Sequence, residues 1–159
     1  KRFFKLPQLY LGLIFNGGVW VGFTHLSAVS YRDIVPLLLL YGVGILWTLI
    51  YDTIYAFQDL EDDKALGLHS SALLFERRPR LFLGGCALGI TALLFLLGIY
   101  LHFGWLYKVT SLLCGVILFL QVFVLKHGDS GHTARLFSLC QAVGWLISLA
   151  LLFGFWTHA

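Results

Sequence analysis

The stretch Tyr51-Asp52-Thr53-Ile54-Tyr55-Ala56-Phe57-Gln58-Asp59-Leu60-Glu61-Asp62-Asp63-Lys64 holds five of the chain's eight Asp and Glu residues. It decides how the rest is read, because it lies where a long apolar run comes to an end. Asp52 sits inside that run and the other four carboxylates follow just past it. An ionised group at such a boundary is costly and marks a functional site by default.

Working outward, 59% of the residues are hydrophobic, 12% are charged and the mean hydropathy is +0.86. An average soluble domain has about a quarter of its residues charged. This composition belongs to an integral membrane protein. Apolar runs of about 20 residues cross a hydrocarbon core, and five are present, over residues 9–29, 34–57, 81–101, 105–125 and 136–156. Helices satisfy their own backbone polar groups in lipid, so the expected fold class is all-α, a polytopic transmembrane helical bundle forming a single domain over residues 1–159. The first run is too long for a signal peptide and four more follow it. The chain opens on Lys1 and contains no Met, which reads as a fragment or a processed piece.

Lys and Arg sort by loop. Lys1, Arg2, Lys5, Lys64, Arg77, Arg78, Arg80, Lys126 and Arg135 fall on one side, nine of the eleven, with Arg32 and Lys108 on the other. The positive-inside rule then places the N-terminus and the acidic loop 58–80 in the cytoplasm and the C-terminus outside. The net charge of +3 records this topology. No basic patch interleaved with aromatics accompanies it, so nucleic acid is not an expected partner, whereas membrane lipid is.

Short turns at 30–33 and 102–104 make the helices they join antiparallel neighbours. The 58–80 loop is much longer, and long ordered loops tend to be functional. Within it, 65–75 is expected to form a short interfacial helix, Pro79 to start the third span, and Arg77-Arg78-Pro79-Arg80 to anchor to anionic headgroups. Gly18 with Gly22, and Gly85 with Gly89, have the spacing of close helix packing. Gln8 and Asn16 are candidates for hydrogen bonds between helices, Asn16 also for a cavity position. Cys86, Cys114 and Cys140 lack metal-ligand spacing and read as small buried residues. His127 and His132 flank a Gly-Asp-Ser-Gly turn and read as solvated. No phosphate-binding glycine loop, Gly-x-Ser-x-Gly element or Cys–His nucleophile pair is present.

If the second span continues as a helix past Phe57, then at about 100° per residue Asp52, Asp59 and Asp63 share one face, joined by Tyr55 and edged by Asp62. Like charges one turn apart repel, so such a face calls for something positive. Oxygen donors without Cys or His suit a hard divalent ion, and Mg²⁺ characteristically bridges one or two carboxylates to substrate phosphates. The plainer alternative is a solvated loop in which these acids pair with Lys64 and nearby arginines, which is the expected reading for Glu61.

The pattern Asp52-x-x-Tyr55-Ala56-x-Gln58-Asp59-x-Glu61-Asp62-Asp63, followed by Gly67-Leu68-His69-Ser70-Ser71-Ala72, closely resembles the second aspartate motif of the UbiA superfamily of intramembrane prenyltransferases. The opening Lys1-Arg2-Phe3-Phe4-Lys5-Leu6-Pro7-Gln8-Leu9-x-Leu11-Gly12 resembles the stretch before the fifth helix in the para-hydroxybenzoate polyprenyltransferase branch. The likeness implies a nine-helix bundle around a cavity open to lipid, of which these spans would be helices five to nine. It further implies two Asp-rich motifs holding Mg²⁺ on a prenyl diphosphate. The first of those motifs is not in this sequence, so the chain alone is expected to be inactive.

By the same resemblance, Asp59 and Asp63 bind Mg²⁺ and diphosphate, Asp52 and Tyr55 belong to the motif's lead-in, and Arg2 lies near the aromatic acid or the diphosphate. Tyr55 and Phe57 are placed to shield an allylic cation. His69 departs from the family's lysine, replacing an ammonium with an imidazole. The implied reaction transfers a polyprenyl group to the ring carbon ortho to the hydroxyl of para-hydroxybenzoate, in ubiquinone biosynthesis. The expected location is a bacterial inner membrane, ahead of a mitochondrial one. Alternatives are another acceptor (homogentisate, a naphthoate or haem) or a divalent-cation transporter. The pattern of CDP-alcohol phosphotransferases is absent.

Overall fold

The computed structural model describes residues 4–24, 31–124 and 130–156. Among them there are eight helices and no strand: α1 (Pro7–Phe15), α2 (Gly18–Thr24), α3 (Tyr31–Ala56), α4 (Leu60–Ala65), α5 (Ser71–Leu74), α6 (Pro79–Tyr100), α7 (Trp105–Val124) and α8 (Ser130–Trp156). Four of them, α3, α6, α7 and α8, are long and apolar enough to cross a membrane. The protein is an all-α polytopic bundle. Arg2 and His127, both singled out from the sequence, lie outside the described residues.

The four long helices close a ring in which α3 packs on α6, α6 on α7, α7 on α8 and α8 back on α3. Its centre is built from Ile50 and Ile54 of α3, Leu83, Ile90 and Leu94 of α6, Leu118 and Val122 of α7, and Leu136 and Val143 of α8, all buried. Cys86, Cys114 and Cys140 are buried among them as small core residues. The outer surface carries Leu88, Leu112, Leu120, Trp145 and Leu152, all exposed, which is the surface lipid accepts. Trp105 and Trp156 stand exposed at the end of the bundle opposite the acidic loop, where aromatic residues favour the membrane interface. Pro79 occupies the first turn of α6, where its missing N–H is no loss.

The first apolar run is not one helix. It breaks at Asn16-Gly17 into α1 and α2, with the Gly17 N–H turning to the Ile14 carbonyl at 3.0 Å, an i→i−3 bond. The cause is local. Asn16 directs its amide to the Gly12 carbonyl at 2.7 Å and to Thr48 Oγ1 of α3 at 2.9 Å, and a side chain bonding to backbone competes with the helical ladder. Two glycines follow, the weakest helix formers after proline. Tyr41 of α3 donates to the Leu13 carbonyl at 2.6 Å, so the end of α1 is tied to α3 at Leu13 as well as at Asn16.

Close helix packing does not run through the glycine pairs picked out by spacing. Added Cβ atoms at Gly18, Gly22 and Gly85 would meet open space, and within those pairs only Gly89 abuts a neighbour, Leu46. Gly44 on α3 is the consequential one. The Asn16 amide fills the volume a side chain at position 44 would take. Gly44→Val should therefore expel Asn16 from Thr48 and cost about 1–3 kcal/mol, the usual penalty of overpacking. Unfolding in detergent measures it; a wild-type midpoint would contradict this packing.

Candidate active site

The continuous helix expected to align Asp52, Asp59 and Asp63 does not form. α3 stops at Ala56: the Phe57 N–H is shared between the carbonyls of Thr53 at 3.2 Å and Ile54 at 3.3 Å, and Gln58 N–H closes on Tyr55 at 2.9 Å. This tightening ends the helix and turns the chain, which lets Leu60 and Ala72 join Ile54 and Phe57 in the core. Asp52 thus lies on α3, part-buried, while Asp59 stands just before α4 and Asp63 within it.

Asp59 and Asp63 do come together as one turn. Asp59 is the N-cap of α4, and the Asp63 N–H bonds to the Asp59 carbonyl at 2.8 Å. Asp59 is half-buried, Asp63 only 3% exposed. Glu61 and Asp62 point to solvent. Lys64 pairs with Glu76 at 2.7 Å and with Glu61 at 3.1 Å. Those two bonds, Glu76 first, raise its pKa above the usual lysine value. Glu61 is therefore the solvated pairing residue expected of it.

The turn is held at both ends. Beyond it, Gly67 adopts φ +62°, its N–H reaches the Lys64 carbonyl at 3.2 Å, and the Leu68 N–H reaches the Asp63 carbonyl at 2.9 Å. This double closure requires a left-handed residue, which glycine supplies without steric cost. Next, Ser70 caps α5 by accepting from the Leu73 N–H at 3.3 Å. Ser71 is then fixed twice: its N–H donates to Gln8 Oε1 of α1 at 2.9 Å, and its hydroxyl meets Thr53 Oγ1 of α3 at 2.6 Å. Gln8, Thr53 and Ser71 are all buried. Gln8 is thus a contact between elements, as the sequence led us to expect, and Thr53 adjoins Asp52.

Inward from the acids runs a line of aromatic rings that sequence reasoning did not assemble. Trp47 and Tyr51 stand 5.2 Å apart on α3, while Tyr51 and Tyr55 each lie 5.8 Å from Phe137 of α8. The spacing of 47, 51 and 55, one helical turn each, was a legible signal; nothing in the sequence ties them to Phe137 or Gln141. A hollow of about 220 Å³ is lined by Phe15, Trp47, Tyr51, Phe137 and Gln141. A larger groove of about 650 Å³ continues along α3 and α8, bordered by residues such as Leu40, Val43, Trp47, Gly144, Ile147 and Leu151.

Among the described residues, no three His, Cys, Asp or Glu side chains gather into a metal site. The donors that Asp59 and Asp63 offer are oxygen alone, on one turn. They fit a hard cation that takes one or two carboxylates and completes its shell with phosphate and water. They do not make a cage formed by this chain alone.

These features define an integral membrane helical bundle with an acidic turn at one face and an aromatic-walled apolar path behind it. The chain belongs to the UbiA prenyltransferase family, whose sequence profile matches residues 1–149. It is 32% identical over 156 residues to a 4-hydroxybenzoate octaprenyltransferase of Vibrio parahaemolyticus, covering 98% of this chain and 54% of that protein. It is 33% identical to the enzyme of that name from Coxiella burnetii, covering 96% and 52%, and 34% identical to that of Neisseria meningitidis, covering 92% and 48%. The chain spans about half the length of these relatives. No solved structure matches it.

Gln8→Leu should leave the Ser71 N–H buried without an acceptor, at a cost of about 1–3 kcal/mol. The expected sign is faster proteolysis within 57–78 in detergent; cleavage at the wild-type rate would mean that this bond does not hold the loop.

Proposed function

We propose that this chain supplies one half of the prenyl diphosphate site of an aromatic prenyltransferase that joins a polyprenyl group to 4-hydroxybenzoate in ubiquinone biosynthesis. The observation that carries it is the pair Asp59 and Asp63 on one turn just beyond α3, the helix whose Trp47 and Tyr51 line the aromatic hollow. The donor and acceptor proposed are those for which the relatives are named. A bacterial inner membrane, with the acidic loop on the cytoplasmic side, follows from the organisms of those relatives and from the nine-to-two sorting of Lys and Arg.

In this reading Asp59 and Asp63 would hold Mg²⁺, and Asp52 near the end of α3 is a further carboxylate of the proposed site. Bound there, Mg²⁺ would supply neutralisation of the charge on the departing diphosphate. The allylic C–O bond breaks with its electron pair leaving on diphosphate, the ring carbon ortho to the hydroxyl forms the new C–C bond, and the proton of that carbon is released to restore the aromatic ring. The chain's own contribution is placement. The Thr53–Ser71 bond and the Gly67 closure fix the carboxylates, and Tyr51, Tyr55 and Phe137 surround the reacting end with π surface that favours positive charge and excludes water. Arg2 is the proposed partner of the acceptor's carboxylate.

The family's first Asp-rich motif is not among these residues, so this chain by itself is expected to show no turnover. In the full-length protein, Asp59→Ala and Asp63→Ala should each lower kcat at least about a hundredfold, the scale of losing a charge-stabilising group, with the helical CD spectrum unchanged. Near-normal turnover in either variant removes the metal assignment. Arg2→Ala should raise the KM for 4-hydroxybenzoate about tenfold or more, the loss of one charged hydrogen bond. An unchanged acceptor KM would favour an acceptor without a carboxylate there.

A further inference from the structure

The small hollow and the large groove share two residues, Trp47 and Gln141. Trp47 is the better fixed of the two. Its indole Nε1 donates to the Cys140 carbonyl of α8 at 3.3 Å. Its six-membered ring lies where α8 has no side chain, since a Cβ on Gly144 would come within 2.6 Å of its Cζ2. Cys140 is held from the other side, its thiol donating to Gln121 Oε1 of α7 at 3.2 Å. Trp47 therefore bridges α3 and α8 in one orientation, with Tyr51 stacked edge-on against it at 5.2 Å and an interplanar angle of 69°.

Along α3 the order is fixed by the helix. Asp52 and Tyr51 lie toward the acidic turn, Trp47 follows about 6 Å further in, and Leu40, at the far limit of the groove, about 10 Å beyond that. A tail that occupies both the hollow and the groove runs past Trp47, the α3 residue they share.

We propose that Trp47 is the residue that selects donor chain length. Resting on the prenyltransferase reading above, the indole is the partition between a compartment of about 220 Å³ for the isoprene units next to the diphosphate and the groove of about 650 Å³ for the remainder. A short donor ends against the ring and gains its packing; a long donor must thread beside it. Trp47→Ala has opposite effects on the two, because the short tail loses its end wall while the long tail gains a wider passage.

The test is kcat/KM of the full-length protein in membranes with geranyl diphosphate and with octaprenyl diphosphate, using 4-hydroxybenzoate as acceptor. Trp47→Ala should raise the octaprenyl-to-geranyl ratio about tenfold or more, the range that pocket contacts of this size command. Trp47→Phe keeps a ring over Gly144 and should shift the ratio in the same direction by about threefold, and it decides the matter if the alanine variant does not fold. A ratio unchanged from wild type, or an equal loss with both donors, overturns the proposal and leaves the enzyme assignment standing. If the wild-type protein prenylates 4-hydroxybenzoate with neither donor, the underlying reading fails first and takes this inference with it.

Discussion

Gln8, Thr53 and Ser71 meet at a buried junction where the first helix, the central helix and the loop bearing the acidic turn are bonded to one another. The polar end of the bundle depends on it. A loop of this length is entropically costly to order, and α4 and α5 are too short to be stable helices by themselves. What keeps them in place is a serine fixed at both its amide and its hydroxyl, in surroundings from which water is removed. Breaking one partner there leaves a stranded polar group, so the junction is specific as well as stabilising.

From that junction the functional layout follows by proximity in the chain. Thr53 is the neighbour of Asp52, so fastening Thr53 to Ser71 sets the loop directly over the end of α3. Gly67 closes the turn on the Asp63 carbonyl, and Asp59 and Asp63 stay one helical turn apart. On the other side, Tyr51 and Trp47 extend the same helix into the apolar groove. On the proposed reading a charged head and a long apolar tail would share one axis, the head at the membrane face and the tail among rings and aliphatic side chains. This division of labour matches an amphipathic, diphosphate-bearing substrate better than a hydrated ion, whose path would need polar groups along its length.

Much of this was legible in the sequence, and for identifiable reasons. Long apolar runs decided the fold class, and the crowding of acids past Phe57 pointed to the end of the bundle at which the site is proposed. Gln8 and Asn16 stood out because an amide in lipid needs a partner. Two features were hidden. The break at 57–59 contains neither Pro nor Gly; it arises because Leu60 and Ala72 reach the core only if the chain turns, a tertiary demand with no local signature. The interruption at Asn16-Gly17 had a local signal in its glycines, but the deciding bond is to Thr48, 32 residues away. The aromatic wall was half visible, as a one-turn periodicity on α3 whose partner Phe137 only packing could supply. Arg2 and His127 lie outside the described residues and contribute through sequence alone.

The most direct measurement is an experimental structure of the full-length protein with Mg²⁺ and a non-reactive prenyl thiodiphosphate. The account predicts a carboxylate oxygen of Asp59 or Asp63 at about 2.1 Å from the metal, the thiodiphosphate on the same ion, and the tail passing the ring of Trp47 into the groove between α3 and α8. A diphosphate bound away from α4, with Asp59 and Asp63 in contact with water alone, would contradict it.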